Sequence, residues 1–316
     1  MITINGTEIT ELTYNGVEIE KALCNGVVVF EKTRENIIRM KTSADSINLR
    51  VTTKDGSSCE VWNGGKKIAE LQSGTYQTVS IPNNAEEITI KGYDIQELDC
   101  DNNQLTALNA SGCTSLQELD CDNNQLTALN ASGCTSLRQL VCFNNKLTTL
   151  NASGCTSLQR LYCSDNQLTE LDVNGCTSLR LLDCQYNQLT KLDVSGCTSL
   201  QRLYCDNNKL TELNVNGCTS LQELYCDNNQ LTTLNVSSCT SLQRLDCNNN
   251  KLSAEVFKKL FEDLPERKEK DGGVLLYKDG DSNYKDFTQP PELAAAFKAA
   301  KAKGWKFYKN DWSTEI

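Results

Sequence analysis

The sequence predicts a β-rich α/β solenoid, and three observations carry this prediction. A 21-residue unit, clearest as LQELDCDNNQLTALNASGCTS over residues 116–136, repeats with small changes from Ile95 to Leu252. A fixed period in the twenties is typical of a chain wound into stacked turns. Short segments of strand composition come before the repeats, and helical patterns follow them. We therefore expect an N-terminal β-domain, a solenoid and a C-terminal α/β cap.

The first 33 residues contain a ten-residue repeat, INGTEITELT, YNGVEIEKAL and CNGVVVFEKT. Each copy has an Asn-Gly pair, which favours a tight turn between runs rich in Val, Ile and Thr. We expect a β-hairpin module over residues 1–33. The pattern resembles the Asn-Gly modules at the start of many phage and prophage tail-associated proteins of gut bacteria. This resemblance implies an association with a phage or prophage tail.

Residues 34–93 are predicted to form a small β-sandwich-like domain. We interpret the polar and locally basic segment 33–46 as a connector. Five segments of strand composition follow, separated by turn residues such as Asp55-Gly56; they cover 47–53, 59–62, 67–71, 76–81 and 86–90. Because the last of them runs directly into the first repeat, this domain would also cap the solenoid.

Residues 94–252 contain eight copies of the repeat. Numbered from its first Leu, each unit has apolar residues at positions 1, 4, 6, 11, 14, 16 and 19, and Asn at position 9. This pattern, LxxLxCxxNxLxxL, resembles the leucine-rich repeat, with Cys at the site of the third strand leucine. The resemblance implies a strand at positions 3 to 5 on a concave face and a turn at the Asn. A buried amide could satisfy the backbone groups of that turn.

Two further features recur in the units. A Gly at position 18 of six units is expected at positive φ, and Ser238 breaks this series. Of the 17 cysteines, 15 fall at positions 6 and 19, which predicts buried free thiols acting as small hydrophobes. Their spacings of 13 and 8 residues do not suit a zinc site, and parallel neighbouring side chains suit a disulfide badly. We expect no metal and no cofactor.

The repeat ends after Leu252, and residues 253–316 are predicted to form an α/β cap over the open end of the core. Ser253 is the expected N-cap of a helix whose apolar stripe ends before Pro265. A strand over 274–277, a helix over 291–303 and a strand over 305–308 would follow.

Composition excludes several classes of function. Histidine is absent, which removes the usual general base and metal ligand, so we predict that the protein is not an enzyme. A formal charge of -10 argues against nucleic acid as a partner. No apolar run is long enough for membrane insertion. The N-terminus lacks a signal-peptide pattern, so we expect a virion-associated or cytoplasmic protein, or a cell-surface one if residues precede Met1 in nature.

Calcium binding stays open beside the simpler interpretation of solvated carboxylates. Asp279, Asp281 and Asn283 are spaced like the start of an EF-hand loop, but Tyr284 replaces the expected Gly. A second acidic group would lie on the first two units, comprising Asp99, Asp101, Asp120 and Asp122.

The candidate ligand site consists of the positions that vary while the repeat stays constant. Side chains at positions 3, 5, 7 and 8 should point out from the concave face. The predicted ligand-binding residues are Val141, Phe143, Arg160, Tyr162, Leu181, Tyr186, Arg202, Tyr204, Glu223, Tyr225 and Arg244. Aromatic residues flanked by arginines are typical of interaction hot spots. Alternatively, the aromatic residues only pack along the sheet and stiffen it.

These observations predict a non-enzymatic recognition protein whose partner is a protein or a cell-surface glycan. Two alternatives belong to other classes. The chain could be a structural spacer or assembly component whose concave face is inert, or a bacterial cell-surface adhesion protein.

Overall fold

The structure is a computed structural model of the 316-residue chain. It describes six strands within residues 3–31, and residues 35–82, 87–267, 269 and 271–316. The Asn-Gly turns proposed at 5–6, 15–16 and 25–26 lie outside the described residues, as does Glu86 at the start of a predicted strand. The six strands pair antiparallel, β1 with β2, β3 with β4 and β5 with β6. Their bounds are β1 (Thr3–Ile4), β2 (Thr7–Glu8), β3 (Thr13–Tyr14), β4 (Val17–Glu18), β5 (Lys21–Cys24) and β6 (Val27–Glu31).

Six strands lie between residue 35 and the first repeat. They are β7 (Glu35–Thr42), β8 (Ser46–Thr53), β9 (Cys59–Asn63), β10 (Lys66–Leu71), β11 (Tyr76–Ser80) and β12 (Ile88–Tyr93). The interpretation of 33–46 as a connector is wrong, because β7 buries Ile38 and Met40 to 0% and 1% exposure. Burial alternates along β7 at the period of a strand, with Asn36, Ile38 and Met40 buried. The sequence does not show this alternation, because Asn36 is polar and its half-buried neighbour Ile37 is apolar.

The repeats form two ladders of strands. The strands of the first are β13 (Ile95–Asp99), β15 (Glu118–Asp120), β17 (Gln139–Val141), β19 (Arg160–Tyr162), β20 (Leu181–Asp183), β22 (Arg202–Tyr204), β24 (Glu223–Tyr225) and β25 (Arg244–Asp246). Those of the second are β14 (Leu105–Asn109), β16 (Ala128–Asn130), β18 (Thr149–Asn151), β21 (Lys191–Asp193) and β23 (Glu212–Asn214). We call the sheet built on the first ladder the concave sheet and the other the convex sheet.

Both sheets continue into the preceding strands. The concave sheet has 12 strands because β8 and β11 extend it at one end and two cap strands extend it at the other. The convex sheet runs β10-β9-β12-β7-β14-β16-β18 and pairing stops there, to resume between β21 and β23. Within the repeats all the concave pairings are parallel and in register. The predicted solenoid with an added β-region and an α/β cap is confirmed, while its division at residues 33, 93 and 252 stays a prediction.

The core lies between the two sheets. Leucines at positions 1, 4 and 11 and cysteines at position 6 are fully buried, for example Leu200, Leu203, Cys205 and Leu210. The 16 cysteines from Cys59 to Cys247 are all buried and unpaired. Burial raises the pKa of thiols such as Cys205, so they are held protonated and unreactive.

The position 9 asparagines form the predicted hydrogen-bonded ladder. The Oδ1 atom of Asn208 accepts from the amide of Leu189 at 3.0 Å. Its Nδ2 donates to the carbonyl oxygens of Cys184 and Cys205 at 3.0 and 3.2 Å. Each rung therefore joins its own turn to the preceding unit. Directly before it, position 8 has positive φ in all eight units.

The glycine series is confirmed at five positions and corrected at one. Gly112, Gly133, Gly154, Gly175 and Gly217 have positive φ, whereas Gly196 does not. At the break in the series, the hydroxyl of Ser238 accepts a hydrogen bond from the amide of Gly217 at 3.0 Å. A side chain here takes the place of the backbone carbonyl that Ser132 offers to Gly112.

The cap contains α1 (Ala254–Asp263), β26 (Gly272–Tyr277), α2 (Pro291–Ala302) and β27 (Trp305–Lys309). Ser253 is the N-cap of α1, as predicted, and accepts from the amide of Val256. Strands β26 and β27 extend the concave sheet in parallel. Neither helix, nor any other helix among the described residues, has the length and apolarity needed to cross a membrane.

Candidate functional site

The predicted site residues lie in two rows across the concave sheet. At position 3, in-register pairing places Arg160, Leu181, Arg202, Glu223 and Arg244 on successive strands. At position 5 the same pairing gives the row Val141, Tyr162, Asp183, Tyr204, Tyr225 and Asp246. Neighbouring strands are about 4.8 Å apart, so each side chain is flanked by its counterparts in the adjacent units.

Four of these residues form a connected cluster. The rings of Tyr204 and Tyr225 have centroids 5.2 Å apart. The Tyr204 hydroxyl donates to Oε2 of Glu223 at 2.7 Å, and Nε of Arg202 lies 3.8 Å from Oε1 of the same carboxylate. Burial and the Glu223 carboxylate both raise the pKa of Tyr204, so its hydroxyl remains a donor. The cluster is thus an ordered aromatic and ionic surface.

The cap adds residues that the sequence analysis missed. Trp312 lies 6.4 Å from the Tyr225 ring and 5.6 Å from the Tyr308 ring, measured between centroids. The guanidinium of Arg244 stacks over Trp312 at 4.3 Å. The signal was the aromatic run near the C-terminus, but its position in space depends on how the tail folds back. Asp311 fixes that turn by accepting from the amides of Ser313 and Thr314.

A cleft of about 310 Å³ opens beside this cluster, between the last units and the cap. Its lining includes Glu223, Arg244, Lys306, Tyr308 and Trp312. Two glycines of β26 complete it, because a Cβ on residue 273 would lie 3.2 Å from the Trp312 ring and one on residue 272 would lie 2.7 Å from Trp305. The absence of these side chains therefore lets both indole rings pack against the sheet.

The remaining predicted residues share the rows without joining the cluster. Phe143, Tyr162 and Leu181 are half-buried, and Arg160 is exposed, with one bond to Gln139 at 3.4 Å. Val141 corrects the expectation of an outward-facing surface residue, because it is only 8% exposed. Its short side chain lies between longer ones on the two adjacent strands. Among the described residues, no ring contact joins Phe143 or Tyr162 to the cluster.

Tyr186 differs from every other residue at position 8. Its φ is 51°, in the left-handed region, and its side chain is 52% exposed. The other seven units have Asn or Asp at this position. Asn and Asp tolerate left-handed backbone far better than a bulky aromatic residue does. Tyr186 therefore presents a large ring to solvent from a strained position.

Carboxylates at position 5 flank the two tyrosines of the cluster, and further carboxylates lie at position 7. Burial raises the pKa of Asp183 and of Asp246 to about 6. Burial, with Asp246 and Asp206 close by, raises the pKa of Asp227 to about 7. Asp227 is thus partly protonated at neutral pH.

The two groups considered for calcium have structural roles. Asp281 accepts from the backbone amides of Asn249 and Lys278 at 2.8 Å each. Asn283 makes hydrogen bonds to buried backbone groups, as the position 9 asparagines do. In the first two units, Asp99 and Asp122 are largely buried rather than solvated, and Asp99 accepts from Tyr76 and Arg50. Within the described residues, no group of three or more acidic or cysteine side chains has the arrangement of a metal site.

The family profile described as Leucine Rich repeats (2 copies) matches residues 95–133, 135–175, 177–217 and 219–259, just over half of the chain. The chain belongs to the leucine-rich repeat family. Leucine-rich repeat solenoids are typical of proteins that bind other proteins, and the family is generally non-enzymatic. No curated protein matches the sequence significantly.

Solved leucine-rich repeat structures resemble the chain over part of its length. The functional domain of InlJ from Listeria monocytogenes, described as including a cysteine ladder, is 33% identical with a TM-score of 0.51. That match covers 60% of this chain and 41% of the InlJ chain. YopM, a leucine-rich effector protein from Yersinia pestis, is 27% identical (TM-score 0.44, covering 52% and 44%). A Shigella effector leucine-rich repeat domain is 26% identical (TM-score 0.43, covering 52% and 74%).

Proposed function

We propose that this leucine-rich repeat protein is a non-enzymatic recognition protein that binds a protein partner through its concave sheet. The binding surface would extend from Arg160 to the cap and be centred on Tyr204, Tyr225 and Trp312. The observation that carries the proposal is this aromatic cluster with Arg202 and Arg244 at its sides. Aromatic and arginine side chains are the residues most enriched in binding hot spots.

The cluster supports binding because the hydrophobic core closes without it. Tyr204, Tyr225 and Trp312 are absent from the contiguous set of core residues and from the side chains packed against that set. Aromatic rings grouped outside the core leave apolar surface that a partner can cover. Here they lie beside an open cleft, where a partner side chain could be enclosed.

Binding should be weakened when the two tyrosine rings that the repeats contribute to the cluster are removed. We expect the double substitution Tyr204→Ala and Tyr225→Ala to weaken binding by at least tenfold, because each truncated hot-spot aromatic costs about 2 kcal/mol. Partners would be captured from a protein library on the immobilised full chain, and their affinities measured by calorimetry.

Tyr93→Ala is the matched control. Tyr93 lies on β12 of the convex sheet and is as exposed as Tyr186, so its loss should leave the affinity unchanged. Equal affinity for the double variant and the natural protein, with both folded by circular dichroism, would contradict the proposal and favour an inert spacer or assembly component.

A cell-surface glycan is the second candidate ligand, supported by the ability of aromatic rings to stack on sugars. The tilt of 39° between the two tyrosines and the guanidinium covering Trp312 leave less flat surface than a sugar platform offers. A glycan array probed with the same variants separates the two ligand classes.

The association with a phage or prophage tail rests on residues 1–33 alone, through the Asn-Gly pattern. We keep it as a proposal, together with the virion-associated or cytoplasmic location and the alternative of a cell-surface adhesion protein. Co-sedimentation of the protein with tail particles would support the first. Its exclusive recovery from the cell surface would favour the last.

A further inference from the structure

Exposed arginines are concentrated along one edge of the concave sheet. The chain has nine arginines and a formal charge of -10, yet five of the nine fall at positions 2 and 3 of units three to eight. Lys306 continues the series, since it pairs with Gly273, which in turn pairs with Arg244. We call this set the basic strip. It consists of Arg138, Arg160, Arg180, Arg202, Arg244 and Lys306, all exposed.

The strip faces the same surface as the aromatic cluster. Arg202 contacts Glu223, and Arg244 stacks on Trp312. Gln243 at position 2 lines the cleft together with Arg244 at position 3, so both positions are reachable from that face. Because neighbouring strands are about 4.8 Å apart, the cations follow one another at intervals of about 5 or 10 Å.

A row of acids runs parallel to the strip, partly beside the aromatic rings at position 5 and partly beyond them at position 7. It contains Asp183, Asp206, Asp227 and Asp246, at positions 5 and 7. Glu223 is the acid within the strip, and its carboxylate is occupied by Tyr204 and Arg202. Over units five to eight the concave sheet is therefore polarised across its width, basic where the strands begin and acidic where they end.

We propose that the basic strip binds an acidic, extended segment of a protein partner that crosses the strands. This inference rests on the proposed function and names the chemistry of the ligand. Carboxylates of the segment would pair with the arginines, and an apolar or aromatic residue beside them would contact Tyr225 and Trp312. Arginine suits this role because its planar guanidinium binds a carboxylate through two parallel bonds.

A protein segment fits this surface better than a nucleic acid or a sulfated glycan. Those polymers carry negative charge on every unit, and the acid row would repel them across the width of the sheet. A peptide can place its carboxylates on one side only, and its other side can be neutral or basic. The polarised sheet thus favours a partner whose charge is equally one-sided.

The test is selection of random 12-residue peptides displayed on phage against the full chain. We expect enriched peptides to be net acidic and to contain an aromatic residue, and their binding to weaken as salt is raised. The triple substitution Arg138→Glu, Arg160→Glu and Arg180→Glu lies outside the aromatic cluster and should lower the affinity at least tenfold. The matched control is Lys146→Glu, Lys209→Glu and Lys251→Glu, with the same charge change at exposed position 10.

Each outcome decides. Loss of binding in the arginine variant alone, with the lysine variant unchanged, supports the inference. Unchanged affinity in the arginine variant overturns it, and the proposed function survives if Tyr204→Ala with Tyr225→Ala still abolishes binding. If neither the arginine variant nor the double tyrosine variant affects binding, both proposals fail. Enrichment of basic peptides or of none, or equally tight binding of heparin or of a 20-base-pair DNA duplex, also overturns the inference.

Discussion

Tyr186 shows how a single residue can depart from the requirements of the repeat. Position 8 needs left-handed backbone in every unit, and amide side chains there even join neighbouring units, as Nδ2 of Asn249 does with Oδ1 of Asn228 at 2.6 Å. Tyr186 gives up such a bond and accepts strain while exposing its ring. A residue kept in an unfavourable conformation without a packing gain is a candidate for a functional role.

Replacing this tyrosine should stabilise the protein. We expect Tyr186→Asn to raise the free energy of unfolding by about 1 kcal/mol, because Asn tolerates left-handed backbone. Urea denaturation followed by circular dichroism measures the change. The reverse substitution one unit later, Asn207→Tyr, should cost a similar amount, since Asn207 has φ 52°. Destabilisation by Tyr186→Asn would show that the ring contributes packing instead.

Among the elements, the cap is joined to the solenoid as though it were one more unit. Nδ2 of Asn283 donates to the carbonyl oxygens of Cys247 and Leu276 at 2.9 and 2.8 Å, and its Oδ1 accepts from the amide of Leu252 at 2.9 Å. These partners match those of the repeat asparagines. Asn283 is therefore a ninth rung, supplied by a loop outside the repeat.

Removing the ninth rung should loosen the cap. We expect Asn283→Ala to cost at least about 2 kcal/mol, since it removes three hydrogen bonds to buried backbone groups of Leu252, Cys247 and Leu276. Limited proteolysis should then cleave between residues 253 and 316 before the repeats. Ser282→Ala, at the exposed neighbouring residue, is the control and should behave like the natural protein. Equal resistance of both variants would mean that α1 and α2 hold the cap without the rung.

Sequence periodicity predicted the elements well where a pattern repeats. The strands at positions 3 to 5, the asparagine rungs and helix α1 follow from the period and from Ser253. Strand β7 was missed because its alternation in burial does not appear in the sequence. The spacing of Asn283 from Asp279 and Asp281 suggests an ion site, because nothing local distinguishes a ninth rung from a calcium ligand. The roles of strand β7 and of Asn283 both depend on contacts with distant parts of the chain.

The candidate site was predictable in its solenoid half only. The period placed Arg202, Tyr204, Glu223 and Tyr225 on one face, and the structure brings them into contact. The sequence does not predict that Trp312 and Lys306 belong to the site, because they follow the repeat and no period relates them to Arg244. The burial of Val141 depends on the side chains of Asp120 and Tyr162 on the adjacent strands. The position of Val141 within its own unit does not predict it.

At the scale of the whole molecule, stacking identical units also stacks their charges. Carboxylates that would be solvated in isolation become neighbours across the strands, and burial adds to their repulsion. Asp120 illustrates this effect in the first units, where burial and the nearby Asp122, Asp99 and Asp101 raise its pKa to about 6. The acid row therefore makes stability depend on pH.

Asp227 should destabilise the protein as pH rises. Its pKa is about 7 in the folded state and about 4 in the unfolded chain. Below pH 4 both states are protonated and no penalty arises; between pH 4 and 7 the unfolded state ionises first, and above pH 7 the full penalty applies. Asp227→Asn should therefore stabilise by on the order of 3 kcal/mol more at pH 8 than at pH 4, as measured by urea unfolding.

Asp311→Asn is the control of opposite sign. Hydrogen bonds from Ser313 and Thr314 lower the pKa of Asp311 to about 2, so its carboxylate stabilises the folded state above pH 4 and loses that effect as pH falls towards 2. This variant should be less stable than the natural protein at pH 8. If Asp227→Asn shows the same difference from the natural protein at every pH, the raised pKa is contradicted.

The buried cysteines can serve as probes of local unfolding in each unit of the solenoid. Every complete unit has one thiol behind the concave sheet and another near the position 18 turn, and neither reacts while its unit stays closed. Alkylation under native conditions would therefore mark each unit at the rate at which it opens. A mass map of the modified peptides would yield a profile of local unfolding along the chain without any substitution in the sequence.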